Sequence, residues 1–257
     1  MPEGDTVHRT ARRLNDVLAG AEVTRFELRV PQLATVDLSG ERVHEVVARG
    51  KHLLHRIGAH TLHSHLKMEG EWHVYQRGER WRAPAFRARA IVGAADHDTV
   101  GFDLAELAVV PTAEEERLVG HLGPDPLSGE WDAAEAARRL GGDSRPIHVA
   151  LQDQRSIAGF GNEYVNEILF VRGIRPTTPA TEVDATAVVD LGARMIRANR
   201  DRRDRTFTGD ARPGRTTWVY RREGRPCRRC GTLIRGGSLG ADPTRERIVF
   251  WCPVCQT

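Results

Sequence analysis

The sequence predicts an α+β chain built in three successive parts: a β-rich N-terminal part led by one helix, a helical middle, and a C-terminal cysteine hairpin. Three observations carry this. Eight short runs of alternating apolar and polar residues fall between positions 21 and 112, the periodicity then turns helical, and all four cysteines lie in the last 31 residues. The expected boundaries are 1–112, 113–212 and 213–257.

Residues 1–18 place Val7, Leu14, Val17 and Leu18 near one helical face, with Asp5 as a capping acid and Pro2 ahead of the helix. The runs EVTRFEL, VHEVVAR, HLLHRI, TLHSHL, EWHVY, FRARAIVG, TVGFDL and LAVVP follow, separated by turns. So many short strands indicate a sandwich or a barrel. Beyond PTAEEERLVGHLGPDPLSGE, helices are expected over WDAAEAARRL, RPIHVALQDQ, NEYVNEILFVRG and VDATAVVDLGARMIRANR, with SIAGFGN interrupting them between Gln154 and Glu163. The polar stretch RDRRDRTFTGDARPGR links these to the cysteine segment.

Cys227 and Cys230 form one C-x2-C pair, and Cys252 and Cys255 a second, with 21 residues between the pairs. Two such pairs suit a tetrahedral four-thiolate zinc site; two disulfides or redox dithiols are the alternatives. Four thiolates leave no open position, so a zinc ion here is structural. The intervening segment reads as a β-hairpin with TLI and IVFW as its strands and a long tip. Arg235, Arg245 and Arg247 stand on it.

The net charge is +3, unevenly spread: residues 194–257 hold 16 Arg against 6 Asp/Glu, and the remainder is net acidic. A basic C-terminal quarter points to a polyanion, nucleic acid first. No run approaches the roughly 18 apolar residues of a membrane span, and the first 20 residues lack an apolar core of a signal peptide. A cytoplasmic protein without a membrane partner is expected. With 36 Arg and only two Lys, Lys51 and Lys67, a retained amine is informative, since an ammonium can lose its proton or act as a compact point charge. Gly159 and Gly161 flank Phe160 ahead of a helix at Asn162, a turn that suits either phosphate binding or a plain connection. His52, His55, His60, His63 and His65 read as solvent-face or core residues rather than metal ligands.

Six segments in order resemble the formamidopyrimidine-DNA glycosylase and endonuclease VIII family of base-excision repair enzymes: PEG after Met1, RGKHLL around Lys51, HLKMEG at 65–70, LQDQRSIAGFGNEYVNEILF at 151–170, WVYRREGRPCRRCG at 218–231 and RIVFWCPVCQ at 247–256. The start PEGDTVHR is more similar to the endonuclease VIII branch, of actinobacterial style. The resemblance implies an N-terminal two-sheet β-sandwich with its helix, a helix–two-turns–helix domain, a C-terminal zinc-binding hairpin, and damaged double-stranded DNA bound between two lobes by a monomer.

It also implies roles. Pro2, exposed once Met1 is removed, would be the Schiff-base nucleophile; its α-amine has an ordinary pKa near ~8. Glu3 would be the proton donor, a role that asks for burial or nearby phosphates to raise its pKa. Lys51 would hold a phosphate and assist β-elimination, and Arg247 would grip phosphates and assist δ-elimination. Asn162, Gly161 and Lys67 would contact DNA, Met68 would fill the space left by a flipped nucleotide, and Glu167 would support the terminal amine. Met68 as a core residue is the alternative. The resemblance implies a bifunctional glycosylase and abasic-site lyase. Segments typical of the oxidised-purine branch are not recognisable in HDTVGFDLAEL and FTGDARPGR, which favours oxidised pyrimidines. Excision of oxidised purines, or damaged-DNA binding without chemistry, are the alternatives.

Overall fold

The structure is a computed structural model that describes residues 2–240, 242 and 246–257. The chain divides into two compact units, residues 1–121 and 122–257.

In the first unit, α1 (Gly4–Leu18) buries Val7, Ala11, Leu14 and Leu18, which recur at helical spacing on one stripe. Val17 is only partly buried at its margin. Asn15 Oδ1 accepts the backbone N–H of Val46 at 2.8 Å, so a polar side chain ties the helix to a strand. The eight expected strands all form: β1 (Val23–Leu28), β2 (Val43–Arg49), β3 (His52–Ile57), β4 (His60–His65), β5 (Glu71–Gln76), β6 (Ala88–Ala94), β7 (His97–Phe102) and β8 (Glu106–Pro111). They pair into two antiparallel four-stranded sheets, ordered β1-β6-β7-β5 and β2-β3-β4-β8. This is the two-sheet sandwich, not a closed barrel. Val7, Leu14, Val23, Phe26, Val46, Leu53, Leu62, Trp72 and Val92 share one core, so α1 and both sheets bury their apolar faces together. A single four-residue helical turn, α2 (Glu116–Val119), follows β8.

Strand register sorts the histidines. His52 pairs with His65 and Leu54 with His63, which puts His52, His63 and His65 on one face of their sheet. His55 points to the other face, into the core, with its ring 4.8 Å from that of Trp72.

The second unit holds α3 (Ala133–Gly141), α4 (Ile147–Ala150), α5 (Asn162–Arg172) and α6 (Ala185–Asn199). Asp132 and Asp184 cap α3 and α6 by accepting the N–H groups of Glu135 and Ala187, each at 2.9 Å. The helix expected over 145–154 is only the one turn of α4. Pro146 fixes its start, and beyond Leu151 the Asp153 carboxylate accepts the N–H of Arg155 at 3.0 Å, which turns the chain out of the helix. Gln154 then braces the glycine loop: its Oε1 accepts from Gly159 N–H at 3.0 Å and its Nε2 donates to the Phe160 carbonyl at 2.9 Å.

Helix α5 is buried on all sides because two cores meet on it. Tyr164, Val165, Ile168 and Leu169 pack with Phe160, Val188 and Ile196, whereas Phe170 packs with Val219, Ile234, Phe250 and Cys252. The hairpin consists of β9 (Arg235–Leu239) and β10 (Arg247–Trp251), Arg247 opposite Leu239. IVFW is a strand as expected; TLI is not. Leu233 bridges Pro226, and the Cys227 N–H bonds the Thr232 carbonyl at 2.8 Å, so TLI closes the first cysteine knuckle. The strand is instead the glycine-containing RGGSL, where a Cβ on Gly236 would lie 2.5 Å from the carboxyl carbon of Glu223.

Candidate functional site

In the first unit, Pro2 is partly buried and Glu3 is completely buried at the N-cap of α1. The Glu3 carbonyl accepts the N–H of Val7 at 3.0 Å, so the backbone beside Pro2 is fixed by the first helical turn. Asp5 serves that same start: its carboxylate accepts the Thr6 N–H at 2.8 Å. Met1 and Arg245 lie outside the described residues.

Lys51 does not sit in a strand. Arg49 pairs with His52, which leaves Gly50–Lys51 as the two-residue turn between β2 and β3, with Gly50 at φ 58°. A turn presents an amine at the end of a stiff hairpin. The 66–69 turn after β4 carries the other lysine. Lys67 adopts φ 52°, its N–H bonds His65 Nδ1 at 3.0 Å, and its ammonium pairs with Glu106 at 2.7 Å. Met68 is 61 % exposed, which removes the core alternative. Gly70 closes this turn through an N–H bond to the Leu66 carbonyl at 2.8 Å.

Next to these lysines stands an imidazole cluster that the sequence did not announce. His52 Nδ1 lies 2.8 Å from His63 Nε2, and the His52 ring meets those of His65 and His121 with centroids 4.9 and 6.1 Å away. Burial, then the neighbouring imidazoles and Lys67, pushes His52 down to about 3. Burial, with Lys67 and Lys51 nearby, pushes His65 down to about 4, and His63 is lowered mainly by burial. His52 and His65 are therefore uncharged at neutral pH, beside Lys51 and Lys67.

In the second unit, Gly161 is the N-cap of α5 and Asn162 its first residue. The Asn162 amide donates from Nδ2 to the Ile248 carbonyl at 2.8 Å, which joins the helix start to β10. Arg247, the neighbour of Ile248, is exposed, as is Arg235 at the start of β9. Glu167 is fully buried, and its carboxylate accepts the N–H groups of Trp218, Val219 and Tyr220 at 2.7, 2.9 and 2.8 Å. It therefore fixes the chain entering the cysteine segment. Sequence reasoning had no signal for that contact, because its partners are backbone groups about fifty residues away.

The four cysteine sulfurs lie within 4.8 Å of one another, with Cys227 Sγ 3.9 Å from Cys255 Sγ and Cys230 Sγ 3.5 Å from Cys252 Sγ. Tetrahedral zinc–thiolate bonds of about 2.3 Å set edges of about 3.8 Å, so these sulfurs match the set a metal ion asks for. The Arg229 N–H points at Cys227 Sγ at 3.4 Å, the kind of donor that supports a metal-bound thiolate.

Residues 1–125 match the formamidopyrimidine-DNA glycosylase N-terminal domain, and residues 122–197 match the formamidopyrimidine-DNA glycosylase H2TH domain. The chain belongs to the formamidopyrimidine-DNA glycosylase family. It is 49 % identical to the DNA-(apurinic or apyrimidinic site) lyase Nei2 of Mycolicibacterium smegmatis, over 100 % of this chain and 99 % of that one. It is 47 % identical to endonuclease 8 2 of Mycobacterium bovis, over the full length of both. The fold is that of MutM in complex with carbocyclic 8-oxo-G containing DNA (TM-score 0.81, 24 % identity, both chains fully covered). It is equally that of the Lactococcus lactis Fpg crystallised with an oxidized pyrimidine containing DNA (TM-score 0.80, 24 % identity, both chains fully covered). The H2TH match takes in α3, α4, α5 and most of α6. Among the described residues, no helix of this family member is long and apolar enough to cross a membrane.

Proposed function

We propose that this chain is a bifunctional DNA glycosylase and abasic-site lyase of base-excision repair, with oxidised pyrimidines in duplex DNA as its substrates and Pro2 as its nucleophile. One observation carries the chemistry: Pro2 directly precedes a completely buried carboxylate, Glu3, at the head of a helix that the sandwich core holds rigid. The Pro2 amine has to be the N-terminus, so Met1 has to be removed. Its lone pair attacks C1′ of a flipped nucleotide, the N-glycosidic bond breaks, and the bonding pair leaves with the base, which takes up a proton as the amine nitrogen sheds its own. Glu3 gives a proton to O4′ as the sugar ring opens, and a C1′ iminium to Pro2 results. The iminium acidifies C2′; loss of that proton expels the 3′-phosphate by β-elimination, and a second elimination can release the 5′-phosphate.

Lys51 at its hairpin turn, Asn162 with Gly161 at the start of α5, and Arg247 at the start of β10 bind the phosphates that flank the lesion. Lys67 adds a cation beside Met68, and Met68 occupies the space that the flipped nucleotide vacates. Glu167 acts at a distance by fixing residues 218–220. The four cysteines hold one structural zinc ion, which supplies folding energy to the hairpin rather than chemistry. On this reading the protein works as a monomer on DNA in a bacterial cytoplasm.

The test is borohydride trapping on duplexes with thymine glycol, 5-hydroxyuracil, 8-oxoguanine or an abasic site. Protein beginning at Pro2 is expected to give a covalent adduct and strand scission, with both pyrimidine lesions released faster than 8-oxoguanine. Acetylation of Pro2 should abolish the adduct and leave duplex binding intact. Binding with neither adduct nor scission would replace the enzyme with a damaged-DNA binder, and faster 8-oxoguanine release would reverse the lesion preference.

A further inference from the structure

A polar network inside the second unit ties Asn162 to buried side chains, Asn166 and His148, that the chemistry above does not use. Asn166 follows Asn162 by one helical turn on α5, and its side chain is completely buried between two apolar clusters. A buried amide costs stability unless it is fully bonded, so a leucine would be the simpler occupant of such a helix. The amide is bonded with a particular geometry. Asn166 Oδ1 accepts the Phe250 N–H at 2.6 Å, and Asn166 Nδ2 donates to the Asn162 carbonyl at 2.7 Å and to Asn162 Oδ1 at 3.1 Å.

Two side chains from α5 thus grip β10 at alternate residues, Asn166 at the Phe250 N–H and Asn162 at the Ile248 carbonyl. In an antiparallel hairpin, the backbone groups of residues two apart point to the same edge. The two asparagines therefore satisfy the outer edge of β10, as a third strand would.

His148 completes the arrangement. It is fully buried, with Nε2 3.2 Å from Asn162 Oδ1 and the Gln152 amide nitrogen 3.2 Å from Nδ1. Burial pushes its pKa down to about 4, so the ring is neutral and carries a single proton. The Gln152 amide nitrogen donates to the His148 carbonyl at 3.0 Å and also lies 3.3 Å from Nε2, packed against the ring. A proton on Nε2 would donate to Asn162 Oδ1 and hold Asn162 Nδ2 toward the Ile248 carbonyl.

We propose that Asn166, backed by His148, is a positioning residue that locks the Arg247 strand onto the start of α5, so that Asn162 and Arg247 meet DNA phosphates as one prearranged pair. This rests on the assignment of Asn162 and Arg247 to phosphates. Arg247 is one residue from Ile248, so its backbone is anchored while its side chain stays exposed. Freed from the grip of Asn166, β10 would have to be ordered during binding, and affinity would fall.

The experiment measures the affinity of the full chain for a tetrahydrofuran-containing duplex by fluorescence anisotropy across a salt series. The variants are Asn166→Leu, Arg247→Ala and the double variant. Each single substitution is expected to raise Kd about tenfold, and the double variant is also expected to stay near tenfold, because both remove the same contact. The slope of log Kd against log salt should fall by about one in Asn166→Leu, as in Arg247→Ala, which a merely structural role would not produce. Where Asn166→Leu does not retain one zinc per chain, Asn166→Ser carries the same cycle with the longer reach to Phe250 removed. Losses that multiply to about a hundredfold in the double variant, or an Asn166 variant that binds like the parent, overturn the proposal. An Arg247→Ala chain with parental affinity and salt slope instead overturns the phosphate assignment of Arg247, and the positioning role falls with it.

Discussion

Glu167 Oε2 accepts the backbone N–H of Trp218 at 2.7 Å, although 51 residues separate them in the chain. With the N–H groups of Val219 and Tyr220 on its other oxygen, one buried carboxylate satisfies three successive amides. Burial pushes Glu167 up to about 7 against these donors, which favour its charged form. A glutamine there would turn an NH2 group toward at least one N–H. Glu167→Gln is expected to cost about 1–3 kcal/mol, the penalty for a buried donor left without an acceptor. It should also loosen Val219 from its cluster with Phe170 and Phe250. Chemical denaturation of both proteins, followed through intrinsic tryptophan fluorescence, checks this; equal midpoints would remove Glu167 as the clamp of that segment.

The histidine cluster makes the first unit sensitive to acid. His52 and His65 are held at about 3 and about 4, and His63 below its ordinary value, whereas an unfolded chain releases these protons near ~6.5. The folded state therefore binds fewer protons than the unfolded one below that pH. The stability they contribute is present above ~6.5 and is lost as pH falls toward the folded values. Glu106 and Glu115 face His63 and oppose this trend, and Lys51 and Lys67 reinforce it at His65. Thermal melts of the parent at pH 7.5 and pH 5 should show a fall in Tm, and His52→Gln, which cannot take up a proton, should show a smaller one. An unchanged fall in the variant would place the acid sensitivity elsewhere.

The cysteine site predicts a second dependence. Phe170, Val219, Ile234 and Phe250 form a small cluster with Cys227 and Cys252, too few side chains to hold a hairpin by burial alone. Removal of the proposed zinc by a chelator, or Cys230→Ser, should release one metal per chain, unfold this hairpin and abolish duplex binding. The sandwich, with its own core, should keep its melting transition. Elemental analysis and thermal melting together decide it; a metal-free chain with an intact hairpin would make the four-sulfur cluster incidental.

Much of this was legible in the sequence, and what was not has physical reasons. Alternation fixed all eight strands of the sandwich because each strand has one core face; Leu53, Ile57 and Leu62 lie on it, and His52 and His63 do not. The cysteine spacing was equally plain. Helix α4 was overextended because its periodicity continues past the point where the Asp153 side chain competes for the backbone. The apolar residues of TLI favour a strand, but their backbone closes the first cysteine knuckle instead, a contact no local pattern shows. The contact of His52 with His63 needed the strand register. Asn166 carries no sequence signal, since nothing local shows that Phe250, 84 residues on, would cover it.

The turn that carries Met68 offers the sharpest separation of structure from chemistry. Met68 is 61 % exposed and contributes little to the core, so Met68→Ala should leave Tm unchanged. Gly70 differs: a Cβ there would lie 2.5 Å from the Leu66 carbonyl oxygen, and backbone cannot swing aside as a side chain can. Gly70→Ala must therefore open the turn, break the Gly70 N–H bond to Leu66 and displace both Met68 and the Lys67–Glu106 pair. If Met68 fills the space left by the flipped nucleotide, it matters only where a partner strand closes that space. Met68→Ala should then slow lesion release from duplex DNA about tenfold or more, on the scale of about 1–3 kcal/mol for a lost stacking contact. Release from the same lesion in single-stranded DNA should be unaffected. Gly70→Ala should match that duplex defect and lower Tm as well. Single-turnover release from paired and unpaired strands reads both, and a Met68→Ala defect of equal size on single strands would deny the methionine its role as a wedge.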